Sequence, residues 1–325
     1  MGVDFGYLYD FRNPSRWERP WDEVYSETID LVAWSETVGF RGAWVPEHHG
    51  AEDGYLPVPN LALAAIAART STITIGAAIA IAPLHNPVRF AEECAVLDIM
   101  SNGRLDTGLG LGYRRREYEM FGERFEQRGR RFTEFLRTVR ALWEGENVNG
   151  MRISPRPSRR LPLYIGGFTD RALERAAVYG DGYFGNEEAV ESYLAKLEAA
   201  GKNRSDAVIR VPGLFFTVAE DPEKAMSELA PYYHHVYSTY GAWMSEDNAI
   251  GMDTPATRPL DLAAFTTSGV LQILTPEQAI AHFTAMRMRI PLEHFTMMRP
   301  PGLPAERFVE YAQLFADTVI PALRD

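Results

Sequence analysis

Strand-like and helix-like segments alternate along the whole chain, and no other feature limits the possible folds so strongly. The strand candidates are short apolar runs at residues 3–9, 42–45, 73–81, 105–111, 163–166, 182–184, 208–218 and 295–298. Amphipathic or Ala-rich helical patterns lie between them. Eight strands alternating with helices are typical of a parallel sheet closed into a barrel. The sequence therefore predicts an α/β fold, a (β/α)8 TIM barrel, as a single domain over residues 1–325.

A doubly wound open sheet is the alternative fold. It would usually carry a Gly-rich phosphate-binding turn after its first strand. Residues 9–13 follow the first strand candidate and contain no glycine. The closed barrel is therefore favoured over the open sheet.

Two segments are too long or too polar to be ordinary barrel connections. Residues 144–160 are polar and contain proline, and residues 219–275 are far too long for one barrel helix. The second segment has a middle rich in Gly, Thr and Pro at residues 251–258. Long insertions in compact domains are often active-site lids. We therefore expect residues 219–275 to form a lid between the seventh and eighth barrel strands.

Composition excludes several classes of protein. Apolar residues make up 46% of the chain and charged residues 24%, and no apolar run reaches the length of a membrane span. The first residues carry no secretion signal, so a cytoplasmic protein is expected. A net charge of -11 argues against non-specific nucleic-acid binding, and the single Cys94 excludes an internal disulfide. Local runs of arginine, such as residues 114–116, fit solvated faces or helix ion pairs better than anion sites.

Glu47, His48 and His49 directly follow the strand candidate at residues 42–45. Active sites of α/β proteins lie at this end of the strands. Helical zinc motifs need two histidines four positions apart, and adjacent residues after a strand point in opposite directions. One histidine should therefore face the barrel mouth. An acid/base or cofactor-contacting role is favoured over a structural one, and no metal site is expected.

Two glycine-rich segments have the pattern of ligand-binding backbone. Residues 105–113 carry alternate glycines within a strand, which permits close approach of a planar ring or simply makes room for large neighbours. Residues 163–172 form a strand that ends at Gly166 and Gly167, and Thr169 or Asp170 then caps a helix. Free N–H groups at such a helix start can bind a phosphate, although an ordinary helix cap has the same pattern.

Taken together, residues 39–49, 76–89, 98–112, 121–122 and 162–182 resemble the bacterial luciferase-like flavin monooxygenase family. The resemblance extends over nearly the whole chain, and the order and spacing of the segments make it specific. It implies a (β/α) barrel that binds reduced flavin mononucleotide (FMN), or a deazaflavin cofactor, at the C-terminal mouth of the strands.

Site residues follow from this resemblance position by position. His48 matches the histidine near the reactive flavin, with Glu47 and His49 as its support. A bulge with a cis peptide bond between Ala78 and Ile79 is implied, and Tyr113 is placed near the edge of the flavin ring. The full set of implied cofactor-binding residues is Ala77, Ala78, Ile79, Gly110, Tyr113, Gly166, Gly167, Phe168, Thr169 and Arg171.

Three positions depart from the luciferases themselves. Gly110 replaces a reactive cysteine, Leu111 replaces a phosphate-binding arginine, and Asn86 replaces a histidine. Arg114 or Arg171 is then expected to contact the phosphate in place of the missing arginine. Light emission is not expected from this chain.

The resemblance implies a monooxygenase that receives reduced FMN from a separate flavin reductase. Together with dioxygen, it would oxidise a small organic substrate such as an aldehyde through a flavin peroxide. A homodimer formed through the first helices is expected. Deazaflavin-dependent hydride transfer is the alternative, and the Glu47-His48-His49 triplet favours FMN. A non-catalytic flavin-binding protein is the alternative of another class, but such relatives have truncated barrels.

Overall fold

The computed structural model describes residues 2–246 and 259–324 and shows a closed barrel of eight parallel strands. Its strands are β1 (Asp4–Leu8), β2 (Gly42–Val45), β3 (Thr74–Ile81), β4 (Leu105–Gly110), β5 (Leu163–Ile165), β6 (Gly182–Phe184), β7 (Ile209–Gly213) and β10 (Leu292–Met298). Around the barrel they follow the order β1-β10-β7-β6-β5-β4-β3-β2. The predicted barrel is confirmed, and β1 lies diametrically opposite β5.

Helices surround the barrel and connect its strands. They are α1 (Trp21–Thr37), α2 (Pro59–Arg69), α3 (Pro87–Met100), α4 (Arg115–Met120), α5 (Arg128–Trp143), α6 (Asp170–Tyr179), α7 (Val190–Ala199), α8 (Pro222–Glu246), α9 (Leu262–Thr267), α10 (Pro276–Arg289) and α11 (Ala305–Leu323). Local sequence determines where two of these helices begin. Asn86 accepts bonds from the first N–H groups of α3, and Thr275 forms a capping box with Gln278 at α10. None of the described helices is long and apolar enough to cross a membrane.

The strand predicted over residues 208–218 is in fact two strands. β7 stays in the barrel, Leu214 and Phe215 make a turn, and β8 (Phe216–Val218) leaves it to pair with β9 (Gln272–Leu274). A continuous apolar run cannot mark this departure, because both strands are buried. The segment 219–275 contains α8, α9 and β9, while its Gly/Thr/Pro-rich middle at 251–258 lies outside the described residues.

A buried apolar layer fills the barrel beneath its mouth. It consists of Leu8, Trp44, Tyr164, Phe184 and Met298 from the strands, with Val236 from α8. Ala78 packs on this layer, as do Leu214 and Tyr240. The packed layer closes the barrel interior, as in other barrels of this size. Ligands therefore have to bind above it, among the loops that follow the strands.

Candidate active site

His48 is fixed by a carboxylate from a helix that the sequence did not predict. Its Nδ1 lies 2.9 Å from Oε1 of Glu117 on α4, and its backbone N–H donates to the carbonyl of Leu56. Burial raises the pKa of Glu117, but the hydrogen bond and charge of His48 and the N–H of His49 lower it below its ordinary value. Glu117 is therefore ionised and accepts the Nδ1 proton. Because Nδ1 donates to Glu117, Nε2 is the ring nitrogen of His48 that is left to exchange a proton with a ligand.

Glu47 serves a different partnership from the one expected. Its Oε1 is 2.9 Å from Nε2 of His49, both of its oxygens are 2.9 Å from Nε2 of His85, and Oε2 accepts the N–H of Ile81. Burial would raise the pKa of Glu47, but hydrogen bonds from His49 and His85 lower it to about 2. The same pairing raises the pKa of His85 against the opposing effect of burial. Glu47 thus joins β2 to β3 and leaves the support of His48 to Glu117.

Aromatic rings surround His48 on several sides. Ring centroids of Tyr55 and Trp243 lie 4.8 and 4.9 Å from the imidazole, and those of Tyr113 and Tyr240 lie 5.7 and 6.1 Å from it. The hydroxyls of Tyr55 and Tyr240 are 2.6 Å apart, whereas the Tyr113 hydroxyl is buried and meets no partner within residues 2–246 and 259–324. Burial raises the pKa of Tyr113 well above its ordinary value, so its hydroxyl keeps its proton. An aromatic pocket of this kind excludes water around one basic nitrogen.

Strand β3 has the bulge and the cis peptide bond that the resemblance implied. Ala77 pairs with Thr107 and Ala80 with Leu109, so two residues of β3 stand opposite one residue of β4. The peptide bond joining Ala78 to Ile79 is cis. Both of these residues are partly exposed between buried neighbours. The bulge therefore presents an apolar shelf at the mouth, next to the aromatic pocket.

The alternate glycines of β4 make room for their neighbours in this bulge. A Cβ at Gly110 would lie 2.0 Å from Cδ1 of Ile79, and one at Gly108 would lie 2.2 Å from the carbonyl oxygen of Ala77. The same Ile79 methyl would be 3.0 Å from a Cβ at Gly166. Large neighbours alone therefore account for these glycines. A flavin contact at Gly110 stays a prediction.

The turn from β5 into α6 is open to solvent at the mouth. Gly167 has φ +126°, a conformation that favours glycine, and Thr169 accepts a hydrogen bond from the N–H of Ala172. Phe168 and Arg171 are exposed. The positive end of the ten-residue helix α6 adds to the backbone N–H groups of this turn. Its geometry suits a phosphate group.

Arg114 and Arg171 differ in their availability for a phosphate. Arg114 is buried, donates to the carbonyl of His49 and to Glu117, and lies 4.0 Å above the ring of Trp243. Its charge is therefore committed within the His48 environment. Arg171 is exposed beside the β5–α6 turn, so it is the stronger candidate for a phosphate contact.

Two residues of this network, Glu117 and His85, have no signal in the sequence that points to the site. Glu117 lies on α4, directly after the arginines at residues 114–116, whose pattern is typical of a solvated face. His85 stands next to Asn86, which caps α3. A glutamate directly after a run of arginines has no local signature of burial. Among residues 2–246 and 259–324, no group of three or more His, Cys, Asp or Glu side chains could hold a metal ion.

Comparison with known proteins places this geometry among flavin enzymes. Residues 3–287 match the model of a family described as luciferase-like monooxygenase. The oxygenase component of the flavin-dependent trigonelline monooxygenase of Acinetobacter baylyi is 26% identical over 249 residues, which cover 70% of this chain and 68% of that protein. The F420-dependent glucose-6-phosphate dehydrogenase of Amycolatopsis mediterranei is 26% identical over 323 residues, covering 92% and 94% of the two chains.

A solved structure shows that the fold is shared. The monooxygenase RslO1 from Streptomyces bottropensis superposes with a TM-score of 0.81 over 98% of this chain and 99% of its own, at 22% identity. At this level of identity the likeness concerns the fold alone.

Proposed function

Because the chain belongs to the luciferase-like monooxygenase family, we propose that it is a monooxygenase which uses reduced FMN and dioxygen to oxidise a small organic substrate. The family consists of oxidoreductases with flavin-type cofactors, and the relatives include both flavin-dependent monooxygenases and F420-dependent enzymes. The observation that carries the proposal is the His48–Glu117 pair inside an aromatic pocket. It supplies one basic nitrogen in a water-poor site.

The residues at the mouth fit an FMN molecule in two parts. The phosphate would lie at the β5–α6 turn, where Gly167, Thr169 and Arg171 offer N–H groups, a hydroxyl and a charge, and where Gly166 and Phe168 shape the backbone. The ring would lie on the shelf of Ala77, Ala78 and Ile79 above Gly110, with the unpartnered hydroxyl of Tyr113 at its edge. That hydroxyl is an orphaned buried donor, which a flavin heteroatom would satisfy.

His48 would manage a proton in this site. With Nδ1 donating to Glu117, its Nε2 can take a proton from a reacting group and return it. Glu117 would then stabilise the imidazolium, since the carboxylate stays ionised. Bound reduced flavin supplies the electrons and the reaction with dioxygen. The protein's own share is orientation, exclusion of water and this proton transfer.

We also propose that residues 219–275 act as a lid over the mouth. Helix α8 in this segment presents Tyr240 and Trp243 to the ring of His48. Movement of α8 would therefore open or close the aromatic pocket.

A test of cofactor and reaction uses the full chain with a flavin reductase. We expect cofactor-free protein to bind FMN at least ten times more tightly than F420, and oxygen consumption to rise when an aldehyde such as decanal is added. Formation of the matching carboxylic acid should accompany the oxygen uptake. Tighter binding of F420, or substrate turnover without oxygen, would contradict the proposal.

Deazaflavin-dependent hydride transfer is the second candidate. It is favoured by the F420-dependent glucose-6-phosphate dehydrogenase, which aligns with 92% of this chain. The same binding titration distinguishes the two, because the long anionic tail of F420 needs a basic groove beyond the phosphate turn. A non-catalytic flavin-binding role has less support, since the barrel is closed by all eight strands.

A homodimer through the first helices is proposed on the apolar surface of α2 and α3. Leu61 is 71% exposed, and Val96, Ile99 and Met100 are also exposed. Exposed apolar residues on neighbouring helices mark interaction surfaces. Light scattering should give a dimer, and Leu61→Glu should shift it toward a monomer.

A further inference from the structure

A second polar group lies at the mouth, on the side away from the proposed phosphate turn. Asp10 and Arg12 follow β1, and β1 is diametrically opposite β5 in the barrel. The turn at Gly166–Arg171 therefore lies across the mouth from these two side chains. None of the residues proposed to hold FMN belongs to the β1 loop.

Arg12 is held rigidly through two of its three guanidinium nitrogens. Nε and Nη2 lie 2.7 and 2.6 Å from Oδ2 of Asp53, and Nη2 also lies 3.0 Å from Nε2 of His235 and 2.9 Å from the hydroxyl of Thr239. The side chain is fully buried, yet its Nη1 donates to no atom of the part of the chain that the structure describes. Two loops and α8 thus orient a donor that they do not use.

Asp10 supplies the complementary acceptor. It is 2% exposed, and its Oδ1 accepts the N–H of Arg12 at 3.2 Å. Its Oδ2 is buried and has no hydrogen-bond partner among the described residues. Burial raises the pKa of Asp10 to about 6, against the lowering effect of Arg12. A buried carboxylate oxygen without a hydrogen bond is costly, so its retention calls for an explanation.

This polar pair is joined to the His48 pocket through one aromatic ring. The Cζ atom of Arg12 lies 4.7 Å from the ring centroid of Tyr55, and that ring lies 4.8 Å from the ring of His48. The hydroxyl of Tyr55 also meets that of Tyr240 on α8. A small ring-shaped molecule next to His48 could therefore reach the β1 loop with a polar substituent.

We propose that Asp10 and Arg12 form a substrate-recognition subsite for a neutral group that combines a hydrogen-bond acceptor with a donor, such as a carboxamide or a hydroxyl beside a carbonyl. The acceptor takes the Nη1 proton of Arg12, and the donor serves Oδ2 of Asp10. An anionic group is disfavoured, because Asp53 already neutralises Arg12 and the carboxylate of Asp10 lies beside it. The inference rests on the proposed function, since it assigns the substrate of the same site.

Four ligands of one shape test the subsite: benzamide, benzaldehyde, benzoate and toluene. They carry, in order, an acceptor with a donor, an acceptor alone, an anionic acceptor, and no polar group. Calorimetric titration would use the full chain, both free of cofactor and loaded with oxidised FMN. We expect benzamide to bind at least tenfold more tightly than toluene, benzaldehyde to lie between them, and benzoate to bind more weakly than benzamide at pH 8.

Two variants separate recognition from structural effects. Asp10→Asn exchanges an acceptor for a donor, so it should lower the affinity for benzamide and raise that for benzoate. Asp106→Asn is the matched control, because Asp106 is a buried aspartate whose two oxygens are both taken by arginines. It should leave the ranking of the ligands unchanged. Thermal melting of each variant confirms that the compared proteins are folded.

The outcomes are distinct from those that test the cofactor. Equal affinities for all four ligands, tightest binding of benzoate by the unmodified protein, no measurable binding of any ligand, or the same change for every ligand in Asp10→Asn would each overturn the subsite. Failure to bind FMN together with a preserved preference for benzamide would overturn the proposed function and leave the subsite intact.

Discussion

Two clusters of charged side chains lie in the same barrel, one low in its interior and one at its mouth. The lower cluster consists of Asp106, Arg159, Tyr164, Arg210 and Glu293. The two oxygens of Asp106 meet Arg159 at 3.0 Å and Arg210 at 2.8 Å, and Arg210 also donates to Glu293 and to the Tyr164 hydroxyl. Of the buried side-chain atoms in this cluster, Nη1 of Arg210 alone lacks a partner among the residues that the structure describes.

The upper cluster, formed by Asp10, Arg12, His48, Tyr113 and Glu117, is left less complete. Four of its buried atoms have no partner in the described part of the chain, namely Oδ2 of Asp10, Nη1 of Arg12, the Tyr113 hydroxyl and Oε2 of Glu117. Buried polar groups in native proteins are normally satisfied. The difference indicates that the lower cluster joins strands to one another, whereas the upper cluster is completed by what binds to it. Each prediction below tests this division.

The largest effect is expected from His48→Asn in the upper cluster. Loss of a general acid/base group should lower kcat/KM about 10²- to 10⁴-fold, measured as substrate-dependent oxygen uptake. FMN affinity and melting temperature should change little, since within residues 2–246 and 259–324 the side chain of His48 makes one hydrogen bond, to Glu117. Glu117→Gln should show a smaller loss and a shifted pH profile. Turnover within twofold of the unmodified protein would remove His48 from the reaction.

In the lower cluster, Arg210→Met should lower stability and leave FMN affinity unchanged. It leaves the buried Asp106 with one arginine and removes the partner of Glu293, so we expect a loss of about 3 kcal/mol in the free energy of unfolding. Urea denaturation measures this loss. Tyr164→Phe, which removes a single hydrogen bond to Arg210, should cost only about 1 kcal/mol. A change in FMN affinity without loss of stability would contradict the division.

Glu47 lies between the two kinds of cluster, because it is at the mouth yet fully partnered. Its pKa is lowered from the ordinary 4.5 to about 2, so its stabilising effect is complete at neutral pH and is lost as the pH falls from about 4.5 toward 2. Glu47→Gln should therefore lower stability by about 3 kcal/mol at pH 7, with the difference vanishing near pH 2. The control is Glu126→Gln, at an exposed site, which should leave stability nearly unchanged at every pH. A pH-independent difference would indicate packing rather than charge.

The ionised carboxylate of Asp10 should lower stability, whereas that of Glu47 raises it. This is expected of a buried group whose hydrogen bonds are incomplete. Its pKa is raised from 3.8 to about 6, so the folded state holds a proton that the unfolded chain has already lost, and stability falls as the pH rises from about 4 to 6. Asp10→Asn should therefore raise the free energy of unfolding by about 2 kcal/mol at pH 8 and leave it unchanged near pH 4. Loss of stability at pH 8 would show that the interactions of the carboxylate outweigh the cost of its burial.

Local patterns in the sequence were enough for the barrel and for the side of it that carries the site. Strand periodicity located the eight barrel strands, and the position of His48 after a strand placed it at the mouth. The pattern failed at residues 208–218, where one apolar run continues through the turn at Leu214 and Phe215 into a strand outside the barrel.

Partners across long sequence separations could not be predicted. Glu117 is 69 positions from His48, and His235 is 223 positions from Arg12. Such contacts depend on how helices are placed over the mouth, and no local periodicity encodes that placement. The resemblance to a known family located the cis bond between Ala78 and Ile79, but it did not identify the carboxylate that orients His48.

The smallest effect tests whether the start of α6 belongs with the incomplete groups of the mouth. Thr169 and Thr275 cap α6 and α10 in the same way, each accepting a backbone N–H at 3.3 Å. Replacing either by alanine should cost about 1 kcal/mol of stability. Only Thr169→Ala should also weaken FMN binding, by several-fold. Its affinity for riboflavin should be unchanged, because riboflavin lacks the phosphate. Equal weakening of FMN and riboflavin would place the phosphate elsewhere, and the helix start at Thr169 would then be an ordinary cap like that at Thr275.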